Sequence, residues 1–218
     1  MTIALLPVKK LEESKSRLLA RLSDRTRQAL TIAMFEDVVD ALAATAGIER
    51  IAVTTPDATV AECARAAGVE VILRPEPGLN EALEDGRQRL APNGDVDLLF
   101  VLGDVAGALP GDFERLLEAA KEQPPGVWLA PSTDGGSSAV LHHPAGVIDC
   151  RFGRDSARRH REAAAKAGVV YREVELPSLE IDLDAPEDLE SFLRTHGGGE
   201  RTRALLASID THPPGEPA

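Results

Sequence analysis

Cysteine is almost missing from this chain of 218 residues: Cys63 and Cys150 are the only two. Neither lies in a cluster with metal-ligand spacing, and the five histidines form no zinc pattern. A disulfide framework and a zinc module are thereby excluded, and reduced cysteines in a cytoplasmic protein are expected. Aromatics make up 3% of the residues, so the core must come from Leu, Val, Ile and Ala. No apolar run approaches the roughly 18 residues of a membrane span, and the N-terminus lacks the features of a secretory signal. Basic charge is also short, with 24 Lys and Arg against 36 Asp and Glu and a net charge of -12. Broad nucleic-acid binding needs a basic surface and is excluded, whereas a local basic pocket is not.

What is present is 43% hydrophobic residues, enough for one core, arranged as alternating strands and helices. Apolar runs predict strands at Ile3–Pro7, Arg50–Thr54, Glu70–Arg74, Leu98–Gly103, Val127–Ala130, Ala139–His142 and Val169–Glu175. Between them, helical periodicity marks residues 24–46, with Leu30, Ala33, Met34, Val38 and Leu42 on one face and Asp24 as the expected cap. Further helices are expected over 59–67, 79–90, 110–121, 156–167 and 186–194. The pattern implies a single α/β domain, residues 1–195, with a mostly parallel sheet, helices on both faces and a small antiparallel addition. The glycines at 197–199 and the closing HPPGEPA are breakers, so residues 196–218 are expected to form a partly mobile tail.

The first strand empties into a loop with Lys9, Lys10, Lys15 and Arg17. Ligands of open α/β sheets bind beyond the carboxyl ends of strands, so these cations suit a phosphate chain; a solvated loop is the alternative. Asp104 ends the buried run LLFVLGD, and Asp182 and Asp184 share one side of EIDLD. Asp104 with either of them could ligate magnesium, which prefers oxygen and keeps phosphate oxygens in its shell. Asp184 could equally cap the helix at Pro186. TDGGSSAV and the helix start at Gly153–Ser156 offer backbone N–H groups and hydroxyls to an anion, unless they are an ordinary turn and a capped surface helix.

In order and spacing, several blocks resemble one family. They are LLPVKKLEESKSRL, AMFEDVVDAL, GLNEAL, RFGRDSARRH and LPSLEIDLDAPEDL, over roughly residues 2 to 191. The chain is similar to guanylyltransferases of coenzyme F-420 biosynthesis, GT-A-like (Rossmann-like) nucleotidyltransferases. The resemblance implies transfer of GMP from GTP to a small phosphorylated acid (phosphoenolpyruvate, 2-phospho-L-lactate or 3-phosphoglycerate) with release of pyrophosphate. It implies Lys9, Lys15 and Arg17 as catalytic cations, with Lys15, Arg17 and Asn80 binding the nucleotide. Asp104 and Asp182 would hold Mg2+, and Ser138, Gly153 and Ser156 the acceptor. No nucleic acid or membrane partner is expected, and a homodimer is left open. The chain departs from the family at GDVAGAL, where A-D-L-P-L-L is usual, and at GGSSA, where G-T-G-T-N is usual. Two other readings therefore stay open: a GT-A-like enzyme with another nucleotide or acceptor, and a non-catalytic nucleotide-binding relative.

Overall fold

The computed structural model describes residues 1–210, except 20, 76, 77 and 196, with the side chain of 210 also outside it. Fourteen elements alternate much as the sequence predicts. The strands are β1 (Thr2–Pro7), β2 (Ile48–Thr55), β3 (Glu70–Leu73), β4 (Asp97–Val101), β5 (Gly126–Pro131), β6 (Ser137–His143) and β7 (Val170–Glu173). The helices are α1 (Asp24–Ala43), α2 (Ala58–Ala66), α3 (Leu79–Leu90), α4 (Pro110–Ala120), α5 (Ser156–Ala167), α6 (Pro186–Arg194) and α7 (Glu200–Asp210). One sheet orders the strands β3-β2-β1-β4-β6-β5-β7. Only β6 is antiparallel to its neighbours β4 and β5; the other pairs are parallel.

Both faces of the sheet are covered, which is why its strands read as continuous apolar runs. Ala4 and Leu6 of β1 face α1, α2 and α4 through Phe35, Val38, Val60, Phe113 and Leu116. Ile3 and Leu5 point the other way, toward Leu83 and Leu90 of α3 and Ala157 and Ala164 of α5. A third apolar cluster joins Leu30 and Met34 of α1 to Leu18, Ala106, Leu183, Phe192 and Leu206. The antiparallel run of β6 matters for the site. Ala139 pairs with Val101, so β6 brings its first residue, Ser137, to the edge where β1 and β4 end.

Three local expectations need correction. Ser23, not Asp24, caps α1, its hydroxyl accepting from the Thr26 N–H at 3.2 Å, while Asp24 pairs with Arg27. Asp184 does not cap α6; Asp188 does, its carboxylate accepting from the N–H groups of Ala185 (2.6 Å) and Asp184 (3.0 Å). The chain beyond Arg194 also forms a helix, α7, which the sequence reading did not assign. Its first N–H groups, on Arg201 and Thr202, donate to the buried Asp37 carboxylate of α1 at 3.0 and 2.9 Å. The glycines before α7 lie flush on the segment after β4. A Cβ on Gly199 would meet the Ala106 carbonyl oxygen at 2.9 Å, and one on Gly198 would collide with that of Ala108. Small residues at Ala106 and Gly107 thus face small residues at 198–199. The tail expected beyond residue 210 lies outside the described residues.

Candidate active site

A cavity of about 390 Å3 opens at the carboxyl edge of β1 and β4. This is the switch point of the sheet, where the chain leaves β1 toward β2 on one side and β4 lies on the other. The loop after β1 forms one wall. It contains two single-turn 3-10 segments, Leu11–Glu13 and Ser16–Leu18, with Lys15 between them at φ 54°. Such a left-handed conformation is uncommon for a residue with a side chain and needs support. Buried Arg27 of α1 supplies it, its guanidinium donating to the Ser14 carbonyl and, at 3.4 Å, to that of Glu12. Asp57, which caps α2, also accepts from the Leu11 N–H at 2.9 Å.

That anchoring carries Lys15 into the carboxylates. Its ammonium donates to Asp104 at 2.7 Å and to Asp184 at 2.6 Å, and its side chain is 6% exposed. Burial alone lowers a lysine pKa, but the two carboxylates override it and raise Lys15 above its ordinary value. Burial works against ionisation of Asp184 as well; Lys15, Arg17 and Lys9 outweigh it and hold that carboxyl below its usual range. Asp182 is the opposite case. Burial, then the negative charges of Asp104, Asp134 and Asp184, push it up to about 6. Leu183 N–H donates to the Asp104 carbonyl at 3.2 Å, which sets the 182–184 segment beside the end of β4.

The carboxylates fit a magnesium ion in one respect that can be read directly. Asp104 Oδ1 is buried and has no hydrogen-bond partner among the described residues, and Asp182 sits among the negative charges of Asp104, Asp134 and Asp184. No group of three His, Cys, Asp or Glu residues is gathered into a metal cage among them. Magnesium, which takes one or two carboxylates and completes its shell with water and phosphate oxygens, does not need one.

The opposite wall is the start of α5. Gly153 has φ 110° and Asp155 φ 52°, a backbone reversal that brings Ser156 to the helix N-terminus with its hydroxyl donating to that of Ser137 at 2.8 Å. Helix N-termini favour anions. Of the expected acceptor residues, Gly153 and Ser156 line the cavity and Ser138 does not. Strand alternation turns Ser138 away; its hydroxyl is buried without a partner among the described residues, and Ser137 takes the place expected for it. The neighbouring glycine loop is closed on itself: Gly135 N–H donates to Ser132 O (3.1 Å) and Gly136 N–H to Asp134 Oδ1 (2.8 Å), so neither is open to a ligand. Ala139 packs in the core between β4 and β5.

Lys9 and Arg17 line the same cavity from exposed positions. Asn80 does not reach it. Both ends of its carboxamide are engaged by the Phe152 backbone, accepting from the N–H at 2.8 Å and donating to the carbonyl at 3.1 Å. A second cavity of about 300 Å3 adjoins the first, sharing Pro7, Val8, Lys9, Glu13 and Leu79 and adding Thr54, Thr55, Pro56 and Gly78. The sequence reading missed Arg27 and Asp57, and within TDGGSSAV it singled out Ser138 rather than its neighbour Ser137. Arg27 carries a signal, a cation three residues before Leu30 on the helix's apolar face, and Pro56-Asp57 is a helix-start pattern.

A mostly parallel α/β sheet whose switch point gathers cations, carboxylates and a helix N-terminus has the form a nucleotidyltransferase needs. Within that class, residues 2–213 match the model of the family described as "Guanylyl transferase CofC like". The chain belongs to this family and is a guanylyltransferase. It is 40% identical over 195 residues to a phosphoenolpyruvate guanylyltransferase of Rubrobacter xylanophilus, covering 89% of this chain and 94% of the relative. It is 31% identical to a 3-phospho-D-glycerate guanylyltransferase of Colwellia psychrerythraea, covering 87% and 90%. Among solved structures, a nucleotidyl transferase from Methanothermobacter superposes with a TM-score of 0.64 at 17% identity, covering 90% of this chain and 99% of that one. A candidate nucleotide-diphospho-sugar transferase from Desulfovibrio desulfuricans G20 gives 0.79 at 18%, covering 96% and 95%. These two share the fold. No described helix is long and apolar enough to cross a membrane.

Proposed function

We propose that this chain is a cytoplasmic enzyme that transfers GMP from GTP to phosphoenolpyruvate, with 2-phospho-L-lactate and 3-phosphoglycerate as the competing acceptors. The observation that carries the reading is the single cavity that joins Lys15, Asp104 and Asp184 to Gly153 and Ser156. The guanosine occupies the second cavity, beside Thr54, Thr55 and Leu79, and its phosphates cross Lys9 into the first. Lys9, Lys15 and Arg17 bind phosphate oxygens and neutralise the leaving pyrophosphate. Asp104 and Asp182 would hold a magnesium ion, which when bound supplies positive charge at the phosphates. Gly153, Ser156 and Ser137 hold the acceptor.

In the reaction an acceptor phosphate oxygen forms a bond to the α-phosphorus as the bond to the pyrophosphate oxygen breaks. Little covalent work falls to the protein, so positioning and charge dominate. Phosphoenolpyruvate is preferred because its planar carboxylate and phosphate suit two facing polar walls. The names of the more similar relatives agree with that choice. An assembled Lys15–Asp104–Asp184 centre speaks against a non-catalytic relative.

The test is pyrophosphate release with GTP, CTP, ATP and UTP against each of the three acceptors, with product mass measured. A guanylylated phosphoenolpyruvate is the expected main product. Preference for another nucleotide, or no acceptor-dependent release, contradicts the reading.

A further inference from the structure

The acceptor wall is a stretch of main chain, and two side chains from different helices hold it. Asn80, in the first turn of α3, makes its two bonds to the N–H and carbonyl of Phe152. His160, one turn into α5, holds Arg151 before it and Ser156 after it. Its Nε2 accepts from the Arg151 N–H at 3.1 Å, and its Nδ1 lies 2.8 Å from the Ser156 carbonyl. A carbonyl can only accept, so Nδ1 carries the proton and Nε2 is bare. The Arg159 guanidinium adds a bond to Phe152 O at 3.2 Å. The Phe152 ring stands edge-on to His160 (5.1 Å between centroids) and Phe100 (6.2 Å). Residues 151, 152 and 156 are thus fixed on both sides of Gly153 and Asp155, the two positions with positive φ.

We infer that Asn80 and His160 are positioning residues for the acceptor, which preset the 151–156 backbone for the phosphorylated acid without touching either substrate. This rests on the acceptor site assigned above, and it differs from the family resemblance, which puts Asn80 at the nucleotide. Asn80 follows Gly78 and Leu79, which line the nucleoside cavity, so α3 also joins the two halves of the site mechanically.

The histidine works only when neutral. The groups facing it are Arg151 and Arg159 from its own loop and helix, and His142 from β6. Burial opposes protonation first and the two arginines add to it, outweighing the Ser156 carbonyl, which favours it. Protonation would make Nε2 a donor facing the Arg151 N–H, and the hold on Arg151 would be lost.

The experiment measures KM for GTP and for phosphoenolpyruvate separately in wild type, Asn80→Ala, Asn80→Asp and His160→Phe, with melting curves to establish folding. Asn80→Asp keeps the size and the acceptor for Phe152 N–H but sets an oxygen against Phe152 O, so it stands in if Asn80→Ala does not fold. His160→Phe keeps the ring and removes both bonds. Each variant is expected to raise KM for phosphoenolpyruvate about tenfold and to leave KM for GTP within about twofold. The 15N spectrum of wild-type His160 should report the Nδ1–H tautomer. A rise in KM for GTP alone, or equal changes in both, overturns the inference. Ser156→Ala in the same assay separates the two claims. If it raises acceptor KM while the Asn80 and His160 variants do not, the acceptor site stands and this inference falls. If it changes neither KM, the acceptor site itself is wrong.

Discussion

On the nucleotide side of the cavity the wall is made of side chains. Lys9 and Arg17 reach in from exposed positions, and Lys15 balances on a left-handed residue between two carboxylates. The proposed acceptor side is made of main chain, with Phe152 and Ser156 buried, the Phe152 N–H held by Asn80 and the Ser156 hydroxyl by Ser137. A triphosphate carries several charges over a long span, and flexible cations can follow it. A three-carbon acid offers fewer contacts, so its site must be preset, because ordering flexible groups on binding costs about 0.5–1.5 kcal/mol for each side chain. On the assignment proposed above, one cavity uses charge for one substrate and rigidity for the other.

The largest effect is expected where the walls meet. Asp104→Asn should lower kcat by about a thousandfold or more, because in the proposed reaction the residue faces the reacting phosphates; the fold should survive, since Oδ1 has no partner among the described residues and Asp184 still pairs with Lys15. Pyrophosphate release and thermal melts measure this; retained activity would remove Asp104 from the chemistry. Lys15→Ala should cost more than Arg17→Ala. Loss of one charge-assisted contact is worth about 1.5–3 kcal/mol, or about tenfold and upward in kcat/KM for GTP. Lys15→Ala also leaves Asp104 and Asp184 unneutralised. Wild-type kcat/KM in both variants would make the loop a solvated surface.

A smaller effect comes from acid. His160 is held down to about 4 by burial, against an ordinary 6.5, and His142 to about 3. The unfolded chain therefore takes up these protons first. Stability should be full above about pH 6.5 and fall as pH drops toward 4, by roughly 3 kcal/mol for His160 alone. Chemical denaturation from pH 7 to pH 4.5 tests this, and His160→Phe should flatten the fall. A pH-independent midpoint would mean that His160 is not buried neutral. The smallest effect is Arg27→Met, which frees the Glu12–Ser14 carbonyls and should raise KM for GTP severalfold with no change in acceptor KM. An equal rise in both would show that the first loop serves the whole cavity.

The strands were legible because burial on both faces leaves runs such as IALLP and LLFV with no polar alternation. Lys15 and Asp104 were legible because each follows a strand at the sheet edge. The pairing of Asn80 was not legible because its partner, the Phe152 backbone, is 72 residues away and carries no mark in sequence. Ser137 rather than Ser138 lines the cavity because neighbouring side chains of a strand point to opposite faces, and the sequence does not mark which face meets the cavity. Helix α7 was missed because three glycines precede it and its attachment is the Asp37 carboxylate on α1, a tertiary contact.

The division of labour between the two walls is tested most directly by one crossed measurement: KM for GTP and for phosphoenolpyruvate in Arg17→Ala and Ser156→Ala. Arg17→Ala should raise KM for GTP about tenfold and leave acceptor KM nearly unchanged, and Ser156→Ala should do the reverse. Exchange of these effects, or equal changes in both constants in either variant, would contradict the assignment of one wall to each substrate.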